Sequence, residues 1–221
     1  MKLGGLLMVK YLLILFAYLI GSIPFSFILG KIFKGQDIRK LGSGNLGATN
    51  AFRVFGKPIG FAVLILDTLK SGFLVFLMLY TSILDSVDLF PALIYGFISV
   101  LGHVFPVWFK FKGGKGVASS FGLLLIYSPL VALGMVTAFL ITEYITRYVS
   151  VSSTVAAIMA FVTVLFMHFF ATPDLVFVIV TGLSTVLIIF RHRSNYKRLK
   201  LGTENRVKLF DKLDELLKNK K

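Results

Sequence analysis

The chain has 221 residues, 57% of them hydrophobic, and a mean hydropathy of +0.86; soluble domains sit nearer ~45–50% apolar, so the composition excludes a soluble globular protein and describes an integral membrane one. Lys and Arg number 24 against 10 Asp and Glu, for a net charge of +14, which suits anionic lipid head groups or an anionic substrate. Nucleic acid is not expected as a partner, because the cations are split among short loops and a tail, and the lack of cysteine rules out disulfides, thiolate metal sites and a cysteine nucleophile.

In chain order, the first apolar run, Leu6 to Leu29, is long enough to cross a hydrocarbon layer of ~30 Å. No A-x-A-like cleavage site follows it, so it reads as a span and not as a signal peptide. Its second half, GSIPFSF, carries Gly21, Ser22, Pro24 and Ser26 and is expected to kink against protein. From Lys31 to Lys57 six basic residues (Lys31, Lys34, Arg39, Lys40, Arg53, Lys57) face one acid, Asp37, which places this loop in the cytoplasm and the N-terminus outside. Ile59 to Tyr80 is the second span. It contains Asp67 and Lys70, neighbours on one helix face, which read equally as an internal pair near the membrane surface or as groups that position a loop.

The loop from Thr81 to Leu89 has Asp85 and Asp88 and no Lys or Arg, and reads as external. A cysteine placed at Gly35 is therefore expected to react only with reagents that reach the cytoplasm, and one at Ser86 only from outside. Labelling of both from the same side would overturn this topology.

Pro91 to Phe109 returns to the cytoplasmic side and ends in WFKFKGGKG, where Lys110, Lys112 and Lys115 cluster among aromatics and glycines. Val117 to Thr142 is apolar but interrupted by Tyr127, Ser128 and Pro129, and Glu143, Arg147 and the serines of RYVSVSS follow. Val155 to Phe170 and Leu175 to Phe190 are two more spans. The tail from Arg191 carries 11 Lys and Arg against four acids and should be cytoplasmic. If Gly113 and Arg191 share that side, an even number of crossings must separate them. Splitting the interrupted run at Pro129 satisfies this and gives an all-α membrane protein of about seven helical segments; the alternative, five spans, reads Val155 to Phe190 as one crossing. Residues 1–202 then form the membrane domain. Residues 203–221 form a basic tail whose Leu209, Phe210, Leu213, Leu216 and Leu217 make one stripe of an amphipathic helix lying on the inner leaflet.

Three polar stretches should meet at the cytoplasmic face. The first, LGSGNLGATNAFRVF from Leu41 to Phe55, holds glycines, Ser43, Thr49, two asparagines and Arg53, and reads as a loop. The second is Gly113 to Gly116 and the third RHRSNYKRL from Arg191. Glycines admit an anion to backbone N–H groups, and hydroxyls, amides and cations supply directed hydrogen bonds, so the set suits two phosphates held in a partly dry pocket. GGKG is not a Walker A loop, since Gly116 stands where Ser or Thr should bind magnesium. No H-x-x-x-x-D occurs, and the three histidines lie far apart without paired carboxylates, so no catalytic metal and no cofactor are expected.

GSGNLGATN-x-x-R, GHVFPVWFKFKGGKGVA and RHRSNYKRLKLGTE together resemble the three signature regions of the bacterial acyl-phosphate glycerol-3-phosphate acyltransferases, the PlsY family. GSIPFSFILGK and DTLKSG are similar to its flanking segments, so the resemblance runs along nearly the whole chain. One departure is Leu46, where the family often has proline. The resemblance implies transfer of a fatty acyl group from acyl phosphate to the 1-hydroxyl of glycerol 3-phosphate, giving lysophosphatidic acid and phosphate in the bacterial inner membrane, by a protein that contacts membrane lipids and is expected to be monomeric.

Acyl phosphate is already activated, so positioning and charge stabilisation can carry its chemistry, and direct attack by the substrate hydroxyl is the expected route. Lys115 and Arg53 would hold the two phosphates. Ser43, Thr49 and the N–H groups around Gly44, Asn45, Gly47, Asn50, Gly113, Gly114 and Gly116 would complete the cradle, with Ser153 added to the substrate-binding set. The resemblance places His192 and Asn195 on substrate phosphate. A leaving-phosphate oxygen is favoured over His192 as the proton acceptor, and a covalent acyl-Ser43 is the minor route. The competing class is a transporter of an anionic metabolite, which should instead carry its basic groups near the midplane between internal repeats.

Overall fold

The computed structural model describes residues 2–84 and 89–207, with the side chains of residues 2–7 left aside. The external-loop reading at Asp85, Ser86 and Asp88 and the amphipathic stripe from Leu209 to Leu217 lie outside the described residues. Those described are all-helical apart from their connections: α1 Lys2–Gly21, α2 Phe25–Lys34, α3 Ala48–Phe55, α4 Lys57–Tyr80, α5 Ala92–Val104, α6 Val117–Tyr127, α7 Pro129–Thr146, α8 Val149–Phe170, α9 Leu175–Arg191 and α10 Arg193–Lys200.

The first span does break at Pro24, which lacks the N–H a continuing helix needs. α1 and α2 meet there at 41°. The interrupted run from Val117 splits at Pro129 into the 11-residue α6 and the 18-residue α7, while α8 and α9 are separate helices, α8 long and apolar enough to cross by itself. By length and apolarity four helices could cross a membrane, and each of two bent pairs, α1 with α2 and α9 with α10, could make one further span, with α6 short between them.

Three boundaries differ from expectation. The serines of RYVSVSS lie in the first turns of α8, because Tyr148 ends the α7 connection and α8 starts at Val149. The third polar stretch is helical too, its RSNYKRLK forming α10. The second half of the first polar stretch is not loop but α3: Ala51 and Phe55 are buried against Ile38, Leu46, Ile59 and Val63, and that apolar contact outweighs the poor helix propensity of Thr and Asn. Thr49, Asn50 and Arg53 are therefore presented by a helix.

Helices pack closely through small residues, as bilayer packing favours. A Cβ on Gly122 of α6 would overlap the Thr68 carbonyl of α4, and one on Gly21 of α1 would overlap Ser99 of α5. Outside this packing Leu130, Ile145, Phe170 and Val186 are exposed apolar side chains, as a lipid-facing surface requires. The larger core, around Leu93, Leu123, Val131, Ala156 and Phe177, joins α5 to α9. A smaller one lies beneath the first glycine loop and welds α3 to α4.

Candidate active site

The first polar stretch is built around Asn50. Its buried side chain donates to the Leu41 carbonyl (3.1 Å) and the Asn45 carbonyl (3.0 Å) and accepts from the Ser43 N–H (2.9 Å). Gly44 sits at φ +69°, a left-handed turn that a Cβ would strain, and its N–H returns to the Leu41 carbonyl. Leu46 is buried and its carbonyl accepts from Ser26 Oγ at 2.6 Å, so a leucine is well accommodated where the resembling family often has proline. Asn45 caps Gly47 (2.9 Å) and reaches across to the Gly113 carbonyl (3.4 Å), which joins the first stretch to the second.

The second stretch is held from below and from the side. The N–H groups of Gly113 and Gly114 donate to the Val104 and His103 carbonyls at the end of α5, both at 3.1 Å. Their own carbonyls accept from the Arg191 guanidinium, Gly113 at 3.0 Å and Gly114 at 3.2 Å. Lys115 Nζ donates to Asn195 Oδ1, 80 residues away, and so joins the second stretch to the third. Gly116, at φ +85°, opens α6 with no side-chain cap, and Gly47 likewise opens α3. Both helix starts thus leave backbone N–H groups for an anion.

In the third stretch His192 is buried at the α9–α10 junction, with Nδ1 2.8 Å from the Ile188 carbonyl. A carbonyl only accepts, so Nδ1 carries the hydrogen and Nε2 keeps a lone pair. Burial, followed by the nearby Lys115 charge, lowers the His192 pKa to about 4, so the imidazole is neutral at pH 7. Burial likewise lowers Lys115 to about 8; Glu204 opposes that shift, while Arg198, Arg191 and Arg53 add to it.

Sequence reasoning missed Glu204. Its Oε1 accepts from Asn195 Nδ2 (2.6 Å) and Ser150 Oγ (3.1 Å), and its Oε2 from Arg198 Nε (2.7 Å). Burial would raise its pKa, but the hydrogen bonds from Asn195 and Arg198 prevail and hold it below the ordinary value. The Asn195 side-chain oxygen is thereby turned to Lys115. One signal was available: between Asp174 and Asp211 Glu204 is the sole acid. Arg191 and His103 were passed over too, as parts of a basic run and of an apolar span. Residues 203–207 are tied back to the body through Glu204 and through the Val207 N–H on the Arg147 carbonyl (3.0 Å).

The expected residues are not all in mutual contact. Ser43, Thr49 and Arg53 are exposed, and among the described residues Arg53 makes no hydrogen bond or ion pair, although it lies near enough to depress the Lys115 pKa. Ser153 is buried on α8, one turn after Ser150, and has no hydrogen bond to the loops. Asp67 and Lys70 form a buried pair at 2.7 Å, as the internal-pair reading expects.

The Lys115 value has a measurable consequence. Only the ammonium form can hold a phosphate as a cation, so kcat/KM, which reports the free protein, is expected to stay level below about pH 8 and to fall roughly tenfold per unit above it. A profile level well into the alkaline range would remove Lys115 from phosphate binding.

Comparison with known proteins agrees along the chain. A family model described as glycerol-3-phosphate acyltransferase matches residues 11–202. The chain is 48% identical over 197 residues to a glycerol-3-phosphate acyltransferase of Bacillus subtilis (strain 168), covering 89% of this chain and 97% of that one. It is 42% identical over 205 residues to the enzyme of the same name from Staphylococcus carnosus (strain TM300), covering 91% and 99%. Among solved structures it is similar to PlsY, an integral membrane glycerol 3-phosphate acyltransferase. The glycerol 3-phosphate form gives a TM-score of 0.80 at 39% identity, covering 93% of this chain and 98% of that one. The lysophosphatidic acid form gives 0.76 at 38%, covering 90% and 95%.

Proposed function

Because this chain belongs to the glycerol-3-phosphate acyltransferase family, we propose that it transfers a fatty acyl group from acyl phosphate to the 1-hydroxyl of sn-glycerol 3-phosphate, releasing lysophosphatidic acid and phosphate at the cytoplasmic face of the bacterial inner membrane. The observation that carries this reading is the Lys115–Asn195 contact. It brings two glycine-bordered or basic stretches, 80 residues apart, onto one spot within the field of Arg53. A partly buried ammonium whose direct partner is a neutral amide has charge to spare for an anion. Two anionic substrates need more than one such group, and Arg53 supplies the second.

The hydroxyl oxygen attacks the acyl carbonyl carbon, the bond from that carbon to the phosphate oxygen breaks, and the electron pair leaves on phosphate. Lys115, Arg53 and the N–H groups after Gly47 and Gly116 stabilise that departing charge. The hydroxyl proton goes to His192 Nε2 and from there to the leaving phosphate. The neutral ring keeps a free Nε2 lone pair for this step, and the arrival of two anions raises its basicity. Asn195, fixed by Glu204, orients Lys115.

The test is purified protein with acyl phosphate and labelled glycerol 3-phosphate, without CoA or added metal. Labelled lysophosphatidic acid equal in amount to the phosphate released is expected. Transfer from acyl-CoA alone, or uptake of glycerol 3-phosphate into vesicles with no acylation, would replace this reading.

A further inference from the structure

Beneath the GGKG turn lies a cluster of ionisable groups that no step above uses. Asp67 and Lys70 of α4 and His103 of α5 are all buried. Asp67 Oδ1 lies 2.7 Å from Lys70 Nζ and 3.5 Å from His103 Nδ1. Lys70 Nζ also donates to the Ile23 carbonyl at the break between α1 and α2, at 2.9 Å. Asp67 thus fixes the edge of the His103 ring that carries Nδ1, and the opposite edge, with Nε2, is turned to Gly114. A Cβ built on Gly114 would overlap the ring, and its three nearest atoms are all imidazole atoms of His103. Gly114 does not have a positive φ, so its backbone conformation admits alanine and only the ring forbids it. The next residue is Lys115.

We propose that His103, clamped by the Asp67–Lys70 pair, is a positioning residue for Lys115: its imidazole is the stop on which Gly114 seats, and the depth of that seat sets where the ammonium meets substrate phosphate. Burying an ion pair is costly, and this one joins α4 and α5 to the break between α1 and α2 directly under the turn. It makes the stop rigid, because the ring cannot swing without leaving Asp67. The inference rests on the reading that Lys115 grips a phosphate.

The test is a suppression experiment on the full-length protein in detergent. Gly114→Ala is expected to lower kcat/KM on the order of 100-fold, chiefly through KM for the phosphate substrates, since an ångström of misplacement costs about that much. Adding His103→Asn, which keeps an N–H for Asp67 but removes the ring, should recover at least about tenfold. Gly113→Ala is the control, because its Cβ would meet the His103 carbonyl and Pro106 and not the imidazole; His103→Asn should recover nothing there. Recovery in the first pair alone supports the proposal. Equal recovery in both pairs, recovery in neither, or a fully active Gly114→Ala overturns it. If Gly114→Ala does not fold, His103→Asn alone decides: a raised KM at unchanged melting temperature supports the stop, and wild-type kinetics refute it. Lys115→Ala is measured beside them. Normal turnover there removes the phosphate reading and this inference with it, whereas an impaired Lys115→Ala without suppression removes this inference only.

Discussion

Lys115→Ala is expected to lower kcat/KM by roughly 30- to 1000-fold, equivalent to ~2–4 kcal/mol, the usual cost of removing one charge-assisted contact from a desolvated site. Its ammonium is half-buried and its direct partner is the Asn195 amide, while Glu204 stands behind that amide. Truncation should therefore remove substrate affinity and charge stabilisation while leaving the fold in place. Arg53→Ala should fall in the same range for the complementary reason: an exposed guanidinium on α3 with no ion pair among the described residues has no structural contact to lose. Arg53→Lys is expected to remain impaired, because lysine lacks the planar fork that grips two phosphate oxygens. The measurement is initial rate against both substrates, with melting temperature as the control on folding. Near-normal turnover in a folded Lys115→Ala or Arg53→Ala would end that residue's assignment.

Local chemistry was legible in the sequence where it acts within a few residues. The break at Pro24 and the split at Pro129 follow from a missing N–H, and the second occurs where the parity of basic loops needs it. Glycine-rich stretches were correctly located, yet the second half of the first one folded as α3. Its helicity comes from Ala51 and Phe55 reaching Ile38 and Val63, and no pattern inside Ala48–Phe55 reports that partner. The same holds for the site. Lys115 and Asn195 were each nameable, but their contact depends on α9 ending at His192 and on Glu204 turning the amide. Glu204 looked like one acid in a basic tail because the groups it orders are set by the α10 geometry and by Ser150 on α8. Asp67 and Lys70 are neighbours by helix spacing, whereas His103 joins them only because α4 and α5 pack side by side.

Removing the Ser43 hydroxyl separates the two chemical routes by orders of magnitude. A covalent nucleophile is indispensable, with losses on the order of 10⁶ in kcat where one is deleted from an enzyme that relies on it; a hydroxyl that only helps to hold phosphate costs about 10- to 100-fold. The surroundings of Ser43 favour the smaller loss. The residue is exposed, its N–H is engaged by Asn50, and among the described residues no base is hydrogen-bonded to its hydroxyl. His192, the neutral imidazole of the site, is bound through Nδ1 to the Ile188 carbonyl and makes no hydrogen bond to Ser43. With no activated nucleophile, both substrates must be bound together before any product leaves. Initial rates are thus expected to give intersecting double-reciprocal lines, and protein incubated with acyl phosphate alone should keep its unmodified mass. Parallel lines, a stoichiometric acyl adduct on Ser43 and an inactive Ser43→Ala would together establish the covalent route. Chelator should leave the rate unchanged, because the charge that builds on the departing phosphate is met by Lys115, Arg53 and backbone N–H groups.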